Sequence, residues 1–400
     1  MTRAACARSF VAAACVLAAS TALAQTAPAP APRKPSAHPA YAASGADQRR
    51  TGRSSGLAPK DKPKLLWTVR LSARGLVPPA VLRSGLLLVG SRSGLHALDP
   101  ASGGERWFAD IGPVRYTPAV LPSDEVVAIG GTRAYRIDGS GRTRALAPEL
   151  KAARAAPYLD GERIVLIGSF VEAERDADPS ALAPSSRPPS APAPEQLVAL
   201  SVDGKVLSAT ALGIEHPRLL ASIAPGLAVA AGRDSLMSRA PTDGFGSRVI
   251  DLGDAVSALV VGDSEETIAI TESDQLIILE ASGSERPVAA GEPRAVTNGP
   301  ALGRDGGLRI GLESGEILSL SPDGSERWRR GLDGRPGPIL LDQNDTALFA
   351  TSRGTLYAID AGGELRWLLS ADALRAGRPV LGSDGTLFIV FRGGLIAAYR

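Results

Sequence analysis

Histidine, cysteine and closely spaced carboxylates are the side chains that build metal centres and acid–base sites. This chain carries few of them. Its three histidines, His38, His96 and His216, are far apart in sequence. Its two cysteines, Cys6 and Cys15, both fall within the first 15 residues. Two cysteines exclude a disulfide scaffold and a multi-cysteine zinc site. The run Asp342-Gln343-Asn344-Asp345 gathers side-chain oxygens within a tight turn, as a calcium loop does. The same residues suit a hairpin turn. Neither a glycine at the sixth position nor a later bidentate glutamate follows to complete the calcium pattern. A phosphate loop and a His-Glu-x-x-His helix are absent. Glu172, Glu174, Arg175, Asp176 and Asp178 read as the solvated stem of a loop. The sequence therefore assigns no catalytic residue, no metal ligand and no cofactor, and leaves any cofactor-binding residues unknown.

Composition narrows the class of protein. Hydrophobic residues make up 44% and charged residues 22%, which is globular and not disordered. A net charge of only +2 argues against a nucleic-acid partner. Arg3 and Arg8 account for all of that charge.

Those two arginines open a targeting segment. An apolar run from Phe10 to Leu17 follows, and then Ala22-Leu23-Ala24, a small-x-small cleavage pattern. Residues 1–24 are expected to be a signal peptide cut after Ala24, which exports the chain to the periplasm or beyond and removes both cysteines. Lipidation at Cys15 is the alternative, although Ala12-Ala13-Ala14 lacks the usual leucine before it. No segment is long and apolar enough to span a membrane. Residues 25–48, rich in Ala and Pro, are expected to be a disordered tether holding an inert His38. A proline-rich stretch at 172–194 is expected to be a disordered insertion.

The remainder is a repeat, and the repeat must position whatever the chain presents. Three segments align on their tryptophans: Gly94 with Gly103 and Trp107, Gly315 with Gly324 and Trp328, and Gly354 with Gly363 and Trp367. In each, one glycine lies thirteen residues before the tryptophan and a second lies four before it. Weaker copies run from Ala134 to Asp138, Gln196 to Ser201 and Asp274 to Glu280, the last with Pro287 in the tryptophan slot. Short alternating apolar runs separated by Gly, Asp and Ser turns read as strands, with no helical periodicity. Units begin near Gly75, Pro113, Ala153, Glu215, Asp254, Arg294, Gly334 and Ala373, which makes eight four-stranded units of about 40 residues.

This is the pattern of an all-β, eight-bladed β-propeller of four-stranded antiparallel blades over residues 49–400. The last unit stops after its third strand. The fourth tryptophan, Trp67, lies in a spare strand at 64–71 ahead of the first unit, so the N-terminal strand is expected to complete the last blade and close the ring. Within the motif, the first glycine is expected to allow positive φ entering the third strand. The second is expected in the hairpin to the fourth strand, and the tryptophan over the junction with the next blade, its N–H bonded to backbone. These glycines and tryptophans read as stability residues. His96 falls at the position of Tyr357 and reads as packing, and His216, beside Pro217, as a loop residue.

The unit resembles the pyrroloquinoline-quinone-like (PQQ-like) repeat, Gly-x-Leu-Tyr-Ala-Leu-Asp-x-x-Gly-x-x-x-Trp, of which residues 354–367 are the fullest copy. Residues 45–54, with Asp47, Arg50, Thr51 and Gly52, are similar to the lead-in of secreted propellers of that family. The resemblance implies two classes. One is quinone- and calcium-dependent dehydrogenases, of which the alcohol-oxidising ones carry a vicinal cysteine pair and the soluble sugar-oxidising ones rely on a histidine base, for which His96 and His216 are the only candidates here; inserted loops supply their cofactor ligands. The other is non-catalytic periplasmic propellers, such as the propeller subunit of the outer-membrane β-barrel assembly machinery. A chain without cysteines after export, and with near-minimal units, is closest in type to the second. The expected role is a monomeric protein-interaction scaffold of the cell envelope, with a protein partner and no cofactor. The alternatives are a PQQ-dependent dehydrogenase-like enzyme, or small-ligand or glycan binding in the central funnel.

Overall fold

The computed structural model describes residues 47–72, 76–152, 155–170, 195–232, 235–244, 246–282, 284–287, 299–370, 376–391 and 393–400. Within them the short apolar runs are strands, grouped in eight antiparallel sheets. Blade 7 shows the unit in its plainest form: Leu340–Leu341, Ala347–Ala350, Thr355–Ile359 and Leu365–Ser370, each strand pairing with the next. The signal peptide, residues 25–46 of the tether and the insertion 172–194 lie outside the described residues, as do the unit starts at 75, 153, 294 and 373. The insertion joins Arg163–Phe170 to Gln196–Ser201, which pair directly, so it leaves the ladder of blade 3 intact.

Burial explains the strand pattern. Second and third strands are covered on both faces by neighbouring blades, so they are continuously apolar, as in Leu387–Phe391 and Ala347–Ala350. Outer strands meet solvent and alternate, as in Glu326–Gly331. The core is therefore a set of clusters between blades; one joins Leu340, Leu348 and Leu356 to Phe388, Ile396 and Leu87. Blade 3 departs from four strands. Its second strand is long enough for both Leu150–Ala152 and Tyr158–Asp160 to pair with it end to end.

Leu65–Arg70 completes blade 8. It pairs antiparallel with Leu395–Tyr399, Thr68 opposite Ala397, and Lys64 and Arg400 exchange both backbone hydrogen bonds at 2.7 and 2.9 Å. The ring is thus closed by strands from opposite ends of the chain, and the last blade has no unpaired third strand.

Blades are joined by tryptophans resting on turns. The Trp67 ring lies over Gly103 of blade 1, and its indole N–H donates to Pro100 O at 2.9 Å. Trp328 lies over Gly363 of blade 7 and donates to Ala361 O at 2.9 Å. A Cβ on Gly103 or Gly363 would come within 2.6 or 2.8 Å of the ring, and φ is +73° and +91°, so glycine is required twice over. Trp107 rests on Gly141, but its N–H has no partner among the described residues. Between blades 2 and 3, Leu146 takes the tryptophan's place over Gly204. Trp367 donates to Pro59 O at 2.9 Å, because blade 8 has no hairpin there and the N-terminal segment supplies the carbonyl.

Thr68 and Ala397 form a non-hydrogen-bonded pair, with Cα atoms about 4.5 Å apart in standard geometry. Cysteines at both positions are expected to oxidise to one disulfide and raise the melting temperature, read by thiol titration and calorimetry. Thiols that stay free after mild oxidation would show that the ring is not closed by this strand.

Candidate functional site

The motif residues do not converge on a site. Gly103, Gly324 and Gly363 sit in third-to-fourth-strand turns with φ between +73° and +91°, and the four tryptophans lie on outer strands at blade junctions. Gly315 and Gly354 take the expected positive φ at +87° and +85°. Gly94 does not. There a Cβ would lie 2.2 Å from Ala109 O, so close backbone approach, and not helix-handedness, selects glycine.

His96, Asp342, Asp345 and Asp254 are committed to the ring by hydrogen bonds. His96 Nδ1 is 2.7 Å from Glu105, its Nε2 is 3.0 Å from Ser91 Oγ, and its ring packs on Phe108 at 4.7 Å. The strand register places it opposite Val89, as Tyr357 is placed opposite Phe349. His216 is exposed in the loop before blade 4. Asp342 accepts the N–H groups of Asn344 and Thr346 at 2.8 Å each, which makes its run a hairpin turn. Asp345 accepts from Arg304 N at 2.9 Å. Asp254 ties an interblade loop to the neighbouring turn, and the bonds from Ser273 pull its carboxyl down to about 2. Arg309 is fully buried between blades 6 and 7, over the Trp328 ring at 5.6 Å and 3.8 Å from Asp305. Burial lowers its pKa. Among the described residues no three His, Cys, Asp or Glu side chains are grouped to hold a metal ion.

One segment links many blades, and the local sequence pattern does not reveal it. Because strands alternate in direction, first-to-second and third-to-fourth turns all open on one face of the ring. On that face residues 48–58 run along the inner rim as a strap. Gln48 O accepts from Ser222 N of blade 4 at 2.9 Å, Arg49 O from Val261 N of blade 5 at 2.9 Å, and Thr51 O from Leu302 N of blade 6 at 2.8 Å. Gly52 O accepts from Leu341 N of blade 7 at 2.8 Å, and Ser54 N returns a bond to Leu341 O at 2.7 Å. Gly56 then packs against blade 8 at Leu381 and Gly382.

Side chains fix the strap further. Arg53 donates to Leu302 O at 2.8 Å and Gly303 O at 2.5 Å, and forms an ion pair with Asp263 at 2.8 Å. Arg304 donates to Ser54 O at 3.0 Å. Each such bond contributes about 0.5–1.5 kcal/mol. Residues 52–56 also fit Gly-x-Ser-x-Gly, but Ser54 is buried in the strap with its Oγ capping Gly56 N at 3.1 Å, and no strand–turn–helix elbow holds it. Where the strap meets blade 8, a cavity of about 350 Å³ opens between Leu57, Pro59, Gln343, Asp384 and Arg400.

Among the described residues the buried carboxylates on this face do not fit a calcium ion with a quinone. Its buried carboxylates, Asp342 and Asp345, already accept from backbone amides and Arg304, and the strap covers the rim between them and the channel.

Residues 313–400 match the family model described as outer membrane protein assembly factor BamB. The fold is an eight-bladed β-propeller. Two solved structures are similar to the whole propeller. One is the computationally designed Ika8 protein, with TM-score 0.64 and 11% identity, over 84% of this chain and 99% of that one. The other is quinohemoprotein alcohol dehydrogenase ADHIIG from Pseudomonas putida HK5, with TM-score 0.64 and 12% identity, over 90% of this chain and 80% of that one. No curated protein matches the sequence.

Gly52 has φ +78°, and a Cβ there would lie 3.0 Å from Ala301 Cβ and 3.1 Å from Ile339 O. Gly52→Val is therefore expected to lift the strap from blades 6 and 7 and cost about 1–3 kcal/mol. Urea denaturation gives the loss, and limited proteolysis should show new cleavage after Arg49 or Arg53. Parent-like stability and resistance would mean that the strap contributes nothing.

Proposed function

We propose that this propeller is an exported, non-catalytic scaffold that binds a protein partner in the cell envelope, with outer-membrane protein assembly as its setting. The observation that carries this reading is that the sequence's candidate groups His96, Asp342 and Asp345 are engaged within the ring, His96 by Glu105 and Ser91, Asp342 and Asp345 by turn amides and Arg304. Backbone edges and surface turns are left for recognition. The family match over residues 313–400 supports the setting. So does the signal-like N-terminus, whose removal after Ala24 leaves no cysteine in residues 25–400. Among the described residues no helix is long and apolar enough to cross a membrane. In this reading the exported ring is a free monomer, and a face of the propeller docks the partner.

The second reading, a quinone-dependent dehydrogenase, is favoured by one observation, the likeness in fold to ADHIIG. A fold at 12% identity hosts many roles.

Two measurements on the purified exported chain separate the readings. Pyrroloquinoline quinone and calcium, with alcohols or sugars and a dye acceptor, are expected to give no turnover above a heat-denatured control. Affinity capture from envelope extracts is expected to return one defined partner in stoichiometric yield. Sustained dye reduction, or capture that repeatedly returns nothing, would overturn the scaffold reading.

A further inference from the structure

The strap reveals what its seat is made of, and the ring builds that seat a second time. At blades 6 and 7 the seat has four parts. Arg304, in the first turn of blade 6, donates its backbone N–H to Asp345 in the matching turn of blade 7 at 2.9 Å. Its guanidinium donates to Asp342 O of that turn at 2.7 Å and to the strap carbonyl of Ser54 at 3.0 Å. Leu341, last in its strand, turns its N–H and C=O to the channel and bonds Gly52 and Ser54. Ala301 supplies the small side chain against which Gly52 lies.

Blades 1 and 2 repeat these parts. Arg83 donates its backbone N–H to Asp124 of the blade 2 turn at 2.7 Å, and its guanidinium to Pro122 O of that turn at 3.0 Å. Asp124 and Asp345 share a left-handed conformation, φ +65° and +57°. Ala80 pairs with Leu88 as Ala301 pairs with Arg309, in the same register. Val120 is the counterpart of Leu341. Leu121 N bonds Glu125 O at 2.8 Å, so alternation along the strand turns the N–H and C=O of Val120 to the channel. Val81 is placed alike by the Leu82 N bond to Leu86 O at 2.9 Å.

Here no described residue takes the place of the strap. Val81 and Val120 are buried, at 2% and 3% exposure, yet no partner faces their N–H groups among the described residues. Arg83 Nε is likewise buried and without a partner among them. Buried amide donors are seldom left unpaired. The described part of the strap begins at blade 4, where Arg50 N closes a turn on Asp47 O at 3.1 Å.

We infer that the inner rim at blades 1 and 2 is a docking seat for an extended, glycine-containing peptide segment of a partner protein. The segment binds as the strap binds blades 6 and 7. A glycine lies on Ala80 with its carbonyl on the Val120 N–H. Two residues on, a small polar residue gives its N–H to Val120 O and its carbonyl to Arg83. The inference rests on the scaffold reading and supplies the chemistry of its partner. No counterpart of Asp263 stands beside this seat, since blade 8 has Ser383 in that turn position, so the middle residue need not be arginine.

The test uses a fluorescein-labelled peptide that copies residues 50–56, Arg-Thr-Gly-Arg-Ser-Ser-Gly, titrated against the full exported chain by anisotropy. Saturable binding is expected. Arg83→Ala is expected to weaken it at least about tenfold, as is a valine in place of the peptide's first glycine, a change that leaves the protein untouched. Arg335→Ala, on the opposite face, is expected to have no effect. Absence of saturable binding, or equal binding to the Arg83→Ala chain, overturns the seat. Binding that emerges only when residues 36–46 are replaced by glycine and serine would show the chain's own segment there and overturn docking in trans. Envelope capture that survives Arg83→Ala would also sink this seat, while leaving the scaffold reading standing.

Discussion

The antiparallel pairing of Leu65–Arg70 with Leu395–Tyr399 is the contact on which the rest of the ring depends. A blade is stable only when both of its faces are covered. In a ring that condition holds everywhere or fails at the seam. The chain carries three strands for its last blade at one end and the fourth at the other, so the seam lies inside a blade's hydrogen-bonded ladder and not between two blades. Two-sided burial follows and dictates the composition of second and third strands. Phe388 and Trp67, 6.1 Å apart, show the seam packing like any interior junction.

Junctions between blades repeat one device with local substitutions. An indole over a glycine turn supplies apolar area and a hydrogen bond together, and Trp67 and Trp328 use both. Trp107 keeps only the ring contact, and Leu146 keeps only apolar area. The repeat thus tolerates losing the bond before it loses the packing, as expected if buried area contributes more than one hydrogen bond.

Much of this architecture was legible in the sequence because the repeat states it eight times. Glycine–tryptophan spacing gave the hairpins, and the orphan Trp67 gave the closure. The handedness at Gly94 was misread, since spacing cannot distinguish a glycine needed for positive φ from one needed for contact with Ala109 O. Blade 3 was read as four strands, whereas two short strands share its long second strand. Resemblance marks residues 45–54 as a lead-in, but their docking as a strap is not legible in the residues, for a different reason. Gln48 to Ser54 is polar and carries no apolar alternation, and it docks through backbone carbonyls that every sequence has. Only three-dimensional placement shows that Arg304 and Arg83, far apart in the chain, hold equivalent posts.

Among the described residues the inner rim is strapped on blades 4 to 8 and carries no strap on blades 1 and 2. The most direct measurement is amide hydrogen exchange of the intact exported chain, resolved at the inner strands. Slow exchange is expected at Val261, Leu302 and Leu341, whose N–H groups bond the strap, and markedly faster exchange at Val81 and Val120. Equal protection at all five would contradict it, because the two arcs of the rim would then be covered alike.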